Sequence, residues 1–143
     1  MNSEYVVRAV HQDGMHFVNT VGERSLSMDY PLVPGATGAG PKPMEMLLAS
    51  LASCAGGTVA ALLRRAGQSF TGLVVNARGV RRSEHPTVFT EISLEFVVEG
   101  EVDAAALQTA LEQAETRVCP VWTMLKPSTP ITATFRILAM HAG

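Results

Sequence analysis

From Met44 to Leu63 the chain runs for about twenty residues with one charged side chain, Glu45, and then meets Arg64-Arg65. Few sequence features restrict a fold more, because a helix apolar on every side has to be covered all round. Its length suits a bilayer span. Against a span stand Ser50, Ser53 and Thr58, the pair Gly56-Gly57, and alanines that carry little transfer energy. A helix buried in a large core or in a dimer is the simpler expectation. Pro43 is pre-set for a first helical turn and Glu45 suits the positive end of the dipole. Basic residues and then Gly67 mark the end. Each interior glycine costs about 1 kcal/mol of helix propensity, so Gly56-Gly57 predicts a kink or a very close approach of another backbone.

The chain has 143 residues, 47% of them apolar and 17% charged. One domain, residues 1–143, is expected from that length, and the apolar share excludes intrinsic disorder. The charge content is below the roughly 25% of an average chain, which points to a surface partly covered by a second copy. A net charge of −2 excludes a general nucleic-acid binder. Two cysteines are too few for a disulfide-framed secreted scaffold. Met1 to Val10 carries Glu4 and Arg8 and no continuous apolar core, so no secretory leader is expected and the cytoplasm is the expected compartment.

Before the long helix, Tyr5–Val10, Met15–Val21 and Leu26–Tyr30 alternate with a period of two, separated by turns at Gln12-Asp13-Gly14 and Gly22-Glu23-Arg24. They predict an antiparallel meander with one wet face. A proline- and glycine-rich crossover follows. After the helix, Gly72–Arg82 and Thr87–Val98 predict a hairpin, with Val88, Thr90, Ile92, Leu94, Phe96 and Val98 on one face. Asp103 predicts the N-cap of a second helix with an apolar stripe at Leu107, Ala110, Leu111, Ala114 and Val118. Cys119-Pro120 breaks that helix. Pro120 opens a short third one through Leu125, and a strand at Ile131–Ile137 ends the order. The class is α+β.

The chemistry-bearing residues are few. Cys54 lies mid-helix among small neighbours, which leaves its sulfur open to a substrate or a second backbone; equally, a free cysteine is commonly buried and inert. Cys119, placed at a helix start, has N–H groups and a dipole that favour a thiolate, or is an inert helix-end residue. His11, His16, His85 and His141 show no metal-ligand spacing, and no metal is expected. Arg78, Arg81 and Arg82 form a basic cluster on a hairpin edge, with no interleaved aromatics to stack a nucleic acid. The glycines of residues 35–40 lack the Gly-Lys-Ser/Thr of a phosphate loop.

The run Gly40-Pro41-Lys42-Pro43-Met44-Glu45 through Ser53-Cys54, the segment His85-Pro86 to Ile92, and Val118-Cys119-Pro120-Val121 resemble the OsmC/Ohr superfamily of osmotically inducible and organic-hydroperoxide-resistance proteins. The resemblance spans nearly the whole chain. It implies antiparallel sheets wrapped around long apolar central helices in an intertwined homodimer. It further implies a thiol peroxidase, with Cys54 peroxidatic, Cys119 resolving, organic hydroperoxides as substrates, and an external dithiol, lipoyl in some family members, as reductant. No cofactor is implied. The hydroperoxide-resistance branch carries a glutamate ten residues before the reactive cysteine, paired with an arginine of the first hairpin. Here Met44 stands at that place and Glu45, nine residues before Cys54, is the candidate in its stead. The turn Gln12-Asp13-Gly14-Met15 holds no arginine; Arg8 and Arg24 flank it. The alternative to a peroxidase is a non-catalytic dimer of this fold that binds a small hydrophobic ligand in an interface cavity.

Overall fold

The structure, a computed structural model, describes residues 2–139; His141 lies outside them. The elements run β1 (Val7–Asp13), β2 (His16–Val21), β3 (Arg24–Met28), α1 (Pro43–Arg65), β4 (Gly72–Arg81), β5 (Phe89–Glu99), α2 (Ala104–Gln113), a π-turn at Ala114–Val118, α3 (Pro120–Leu125) and β6 (Ile131–Leu138). They fall into two compact units, the first ending at Leu47 and the second beginning at Leu48.

The first unit holds the expected meander, β1-β2-β3, antiparallel throughout. Gly14 and Gly22 turn it with positive φ of 49° and 61°, a region that glycine enters without steric cost. The long crossover is tied back: Asp29 N–H donates to Pro41 O, and Ala39 N–H to the Asp29 carboxylate, each at 3.0 Å. The predicted single wet face is not what the strands show. Every residue of β1 is exposed, and so are Tyr5, Leu32 and Val33.

The start of α1 is closed by one half of a capping box, in which Glu45 at the third helical position accepts the Lys42 N–H at 2.9 Å. Its end is a Schellman motif: Gln68 N–H reaches Leu63 O at 2.9 Å and Gly67 N–H reaches Arg64 O at 3.0 Å. Between them the helix is unbroken. Leu51, Ala55, Val59 and Leu63 form its buried stripe, one residue every four, which is the spacing of a single helix face. The close neighbour at Gly56 is a side chain and not the expected backbone, since a Cβ there would lie 2.9 Å from Val75 Cγ2. Gly57 meets nothing within 4 Å.

The second unit's sheet has the order β4-β5-β6. β4 and β5 form the predicted hairpin. β5 and β6 run parallel, because a crossover carrying α2 and α3 separates them and returns the chain to the same end of the sheet. The core residues of this unit are Leu51, Val59 and Leu63 of α1, Ile92, Leu94, Phe96 and Val98 of β5, Leu107 and Leu111 of α2, and Trp122 of α3. Phe96 and Trp122 stack with ring centroids 6.5 Å apart.

Two expected faces are corrected by single-residue insertions. Val80 pairs with Glu91 but Arg81 pairs with Phe89, so Thr90 is a bulge. The bulge reverses the parity of the strand start: Phe89 turns inward and Val88 and Thr90 stay exposed. The π-turn does the same to the second helix. Cys119 N–H bonds Ala114 O at 2.9 Å, five residues back, so the 3.6-residue period slips by one. Val118 is left 49% exposed and Cys119 is wholly buried. Asp103 occupies the N-cap of α2 without a side-chain cap bond; its N–H donates instead to Gln68 Oε1 at 2.8 Å.

The inward ring of Phe89 lies over Gly79, where an added Cβ would sit 2.6 Å from Phe89 Cε1. Gly79→Ala is expected to lower stability by about 1–3 kcal/mol through overpacking. Urea unfolding of both proteins at one matched concentration checks it, and an unchanged midpoint refutes it.

Candidate functional site

Cys54 is placed by the turn of α1 that carries the buried stripe. It follows Leu51 by three positions and precedes Ala55, so its side chain borders the buried face and is partly exposed. Thr58 Oγ donates to the Cys54 carbonyl at 2.8 Å, one turn on. Cys119 is placed by the slip of the π-turn and by Pro120, which stands at the first position of α3. Its backbone is extended, φ −75° and ψ 108°. The two sulfurs, 65 positions apart in sequence, are in contact: the Cys119 thiol donates to Cys54 Sγ at 3.3 Å. Both cysteines are free.

The expectation that a helix start favours a Cys119 thiolate is corrected. Burial pushes the Cys119 thiol above its ordinary range, and the hydrogen bond to Cys54 and its charge push the same way. The backbone N–H groups of Trp122 and Val121 pull it down, and the net shift is upward. A six-residue helix supplies too few aligned peptide dipoles to offset the removal of a thiolate from water. Apart from Cys54, no ionisable side chain acts on this group.

The other candidates are otherwise engaged. The Glu45 carboxylate closes the first turn of α1, and nine positions at 100° each put it half a turn round the helix from Cys54. Arg8 lies in β1 and Arg24 opens β3, both exposed. Arg81 donates Nε–H to Thr87 O at 2.7 Å and a second N–H to Thr87 Oγ. Arg82 donates to Glu84 O at 2.9 Å and His85 O at 3.2 Å. These guanidinium groups clasp their own loop. Arg78 is exposed on β4. His11 contacts Gly14 O at 3.0 Å and His16 contacts Ser27 Oγ at 3.1 Å. Among the described residues no three His, Cys, Asp or Glu side chains gather as a metal site would. Trp122, which sequence pattern alone does not single out, stands beside the site: its backbone N–H acts to lower the Cys119 pKa without making a cap hydrogen bond to the sulfur. The signal was available in its spacing, since the second and third residues of a helix carry the free N–H groups nearest an N-cap side chain.

Elsewhere on α1, the helix and β4 frame an open groove of about 510 Å³, lined by Ala52, Ser53, Gly56, Gly57, Ala60 and Val75 among others and by neither cysteine.

Two three-stranded sheets, one long apolar helix and a cysteine on that helix against a second at a helix start define the class of α+β proteins with an OsmC-like fold. The family model for OsmC-like protein matches residues 36–134, and the chain belongs to that family. Protein YhfA of Escherichia coli K12 is 32% identical over 100 residues, which is 69% of this chain and 75% of that protein. A hypothetical protein of Aquifex aeolicus VF5 has a crystal structure that superposes with a TM-score of 0.88 at 25% identity, covering 98% of this chain and 100% of that one. An organic hydroperoxide resistance protein OsmC of Legionella pneumophila shares the fold with a TM-score of 0.72 at 14% identity, over 93% of this chain and 96% of that one.

With Cys54 replaced by serine, Cys119 is expected to react with iodoacetamide more slowly than a free thiol. The midpoint of its pH–rate profile is expected above the ~8.5 of an unperturbed cysteine. Stability follows the same sign. A thiol whose folded pKa is raised supports the fold below the unfolded value and loses that support as pH climbs toward the folded one. Reduced protein is therefore expected to weaken above about pH 8.5, and Cys119→Ala to flatten that fall. A midpoint at or below the free-thiol value overturns the assignment.

Proposed function

We propose that the protein is a two-cysteine peroxidase for organic hydroperoxides, working as a homodimer in the cytoplasm. The observation that carries this reading is the 3.3 Å contact between a partly exposed and a fully buried cysteine. The accessible thiol suits attack on a substrate, and the buried one suits capture of the product. As a thiolate, Cys54 attacks the terminal peroxide oxygen; the O–O bond breaks, the alcohol leaves with a proton, and Cys54 becomes a sulfenic acid. Cys119 then attacks that sulfur. A disulfide forms and the sulfenic oxygen leaves as water with the Cys119 proton. The sulfurs need close by only about 1.2 Å to reach a bond length near 2.05 Å. An external dithiol, of which a lipoyl group is one kind, restores both thiols by exchange and leaves as its own disulfide.

The dimer is supported by what α1 leaves uncovered. Its most apolar 18 residues have a mean hydropathy of 1.9, yet 28% of them are buried by the chain itself. The small residues of the groove and the open space at Gly57 fit a second backbone.

Two experiments test these parts separately. One equivalent of cumene hydroperoxide is mixed with reduced protein, and thiols and intact mass are followed. Loss of two thiols and about two mass units is expected, with a dimedone-trapped sulfenic acid building up in Cys119→Ser and no reaction in Cys54→Ser. Oxidation independent of Cys54 refutes the peroxidase and leaves the ligand-binding dimer as the reading. For the interface, Gly57→Ala in a lone chain gains about 1 kcal/mol of helix propensity. Against a second backbone it is expected to weaken the dimer by about tenfold. Sedimentation equilibrium decides, and a dimer that tightens, or a monomeric parent, refutes the interface.

A further inference from the structure

The segment just before Cys119 contains a backbone carbonyl that the chain cannot satisfy in the usual way. In an α-helical register Glu115 O would accept the N–H of Cys119, but that N–H goes to Ala114 O at 2.9 Å. In the π register of Ala114–Val118 the donor for Glu115 O would be residue 120, five positions on. Residue 120 is proline and has no N–H. The carbonyl is bonded nonetheless: Lys126, at the far end of α3, reaches back and donates from Nζ to Glu115 O at 3.0 Å in a partly buried setting. Its own N–H holds Trp122 O at 3.0 Å. Lys126 thus bridges the π-turn on one side of Cys119 and α3 on the other.

We propose that Lys126 is a positioning residue for the Cys54–Cys119 couple, holding the π-turn in the register that turns Cys119 inward, where its sulfur lies 3.3 Å from Cys54. The inference rests on the two-thiol reading above, though not on the identity of the oxidant. Its energetic content is preorganisation. The charge-assisted bond orders the turn in the reduced protein, so closing the disulfide orders less chain and is more favourable than it would be without Lys126. The ammonium also sits where the carbonyl ends of α2 and the π-turn gather partial negative charge.

The test equilibrates the full-length protein with reduced and oxidised dithiothreitol. In that exchange the protein's two thiols become a disulfide while oxidised dithiothreitol takes up both hydrogens, so the equilibrium constant measures how well the sulfurs are placed. Lys126→Met keeps most of the stem and loses the cation. It is expected to lower the constant about tenfold, equivalent to about 30 mV for a two-electron couple, with an unchanged circular dichroism spectrum. Lys126→Arg is expected to remain within about twofold of the parent, since a guanidinium still donates to a carbonyl. Should Lys126→Met not fold, Lys126→Gln, which keeps a polar end without charge or reach, is read in the same way. A parent-like constant in Lys126→Met overturns the proposal. So does an equal loss in Lys126→Arg, which would assign the effect to stem packing, and so does a parent protein that forms no Cys54–Cys119 disulfide. If the constant shifts as expected while the parent ignores cumene hydroperoxide, the peroxidase reading fails and the positioning role stands.

Discussion

Everything near the sulfurs depends on the burial of one stripe of α1. Leu51, Ala55, Val59 and Leu63 are fully enclosed, and each large member contributes on the order of 1.5–3 kcal/mol to holding the helix in place. Cys54 is therefore carried on a rigid element, fixed in azimuth by its neighbours and not by any contact of its own sulfur. The same stripe sets the limit of what the chain does alone. A 23-residue helix with four such positions leaves most of its apolar circumference uncovered by the chain itself.

Against this fixed cysteine the second one is adjusted by irregularities. A regular helix through residue 118 would have pointed Val118 inward and left Cys119 elsewhere. The slip at Ala114–Val118 exchanges them. Burial then decides the protonation of Cys119 against the short helix whose first N–H groups face it. The pair is thus a buried thiol beside a more accessible one, and the only ionisable side chain that acts on the buried member is its partner cysteine.

The ends of α1 were readable in the sequence because their signals are local: Pro43 and Glu45 at one end, Arg64-Arg65 and Gly67 at the other. The strands of the meander and the β4–β5 hairpin were readable by period two. What local periodicity misses is the insertion of one residue, since a pattern of two or 3.6 continues on paper through Thr90 and Glu115 alike. Val88, Thr90 and Val118 are placed on the wrong face for that reason, and parallel pairing of β5 with β6 is a property of the crossover, not of either strand. Both cysteines stood out, but their contact joins positions 65 apart and exists only in the fold. Lys126 left one trace, a proline placed where a helix carbonyl would look for its donor.

The clasp formed by Arg81 and Arg82 around Thr87, Glu84 and His85 bears on the chain's life after synthesis. Exposed loop tips are where proteases nick folded proteins, and a paired-arginine loop is the kind a trypsin-like enzyme seeks. Such an enzyme takes the arginine side chain into a pocket carrying a carboxylate. Here both guanidinium groups are already bonded to the loop's own oxygens, so cleavage first has to break those bonds and unfold the hairpin end. The residues that look most like a cutting site are the ones that close it.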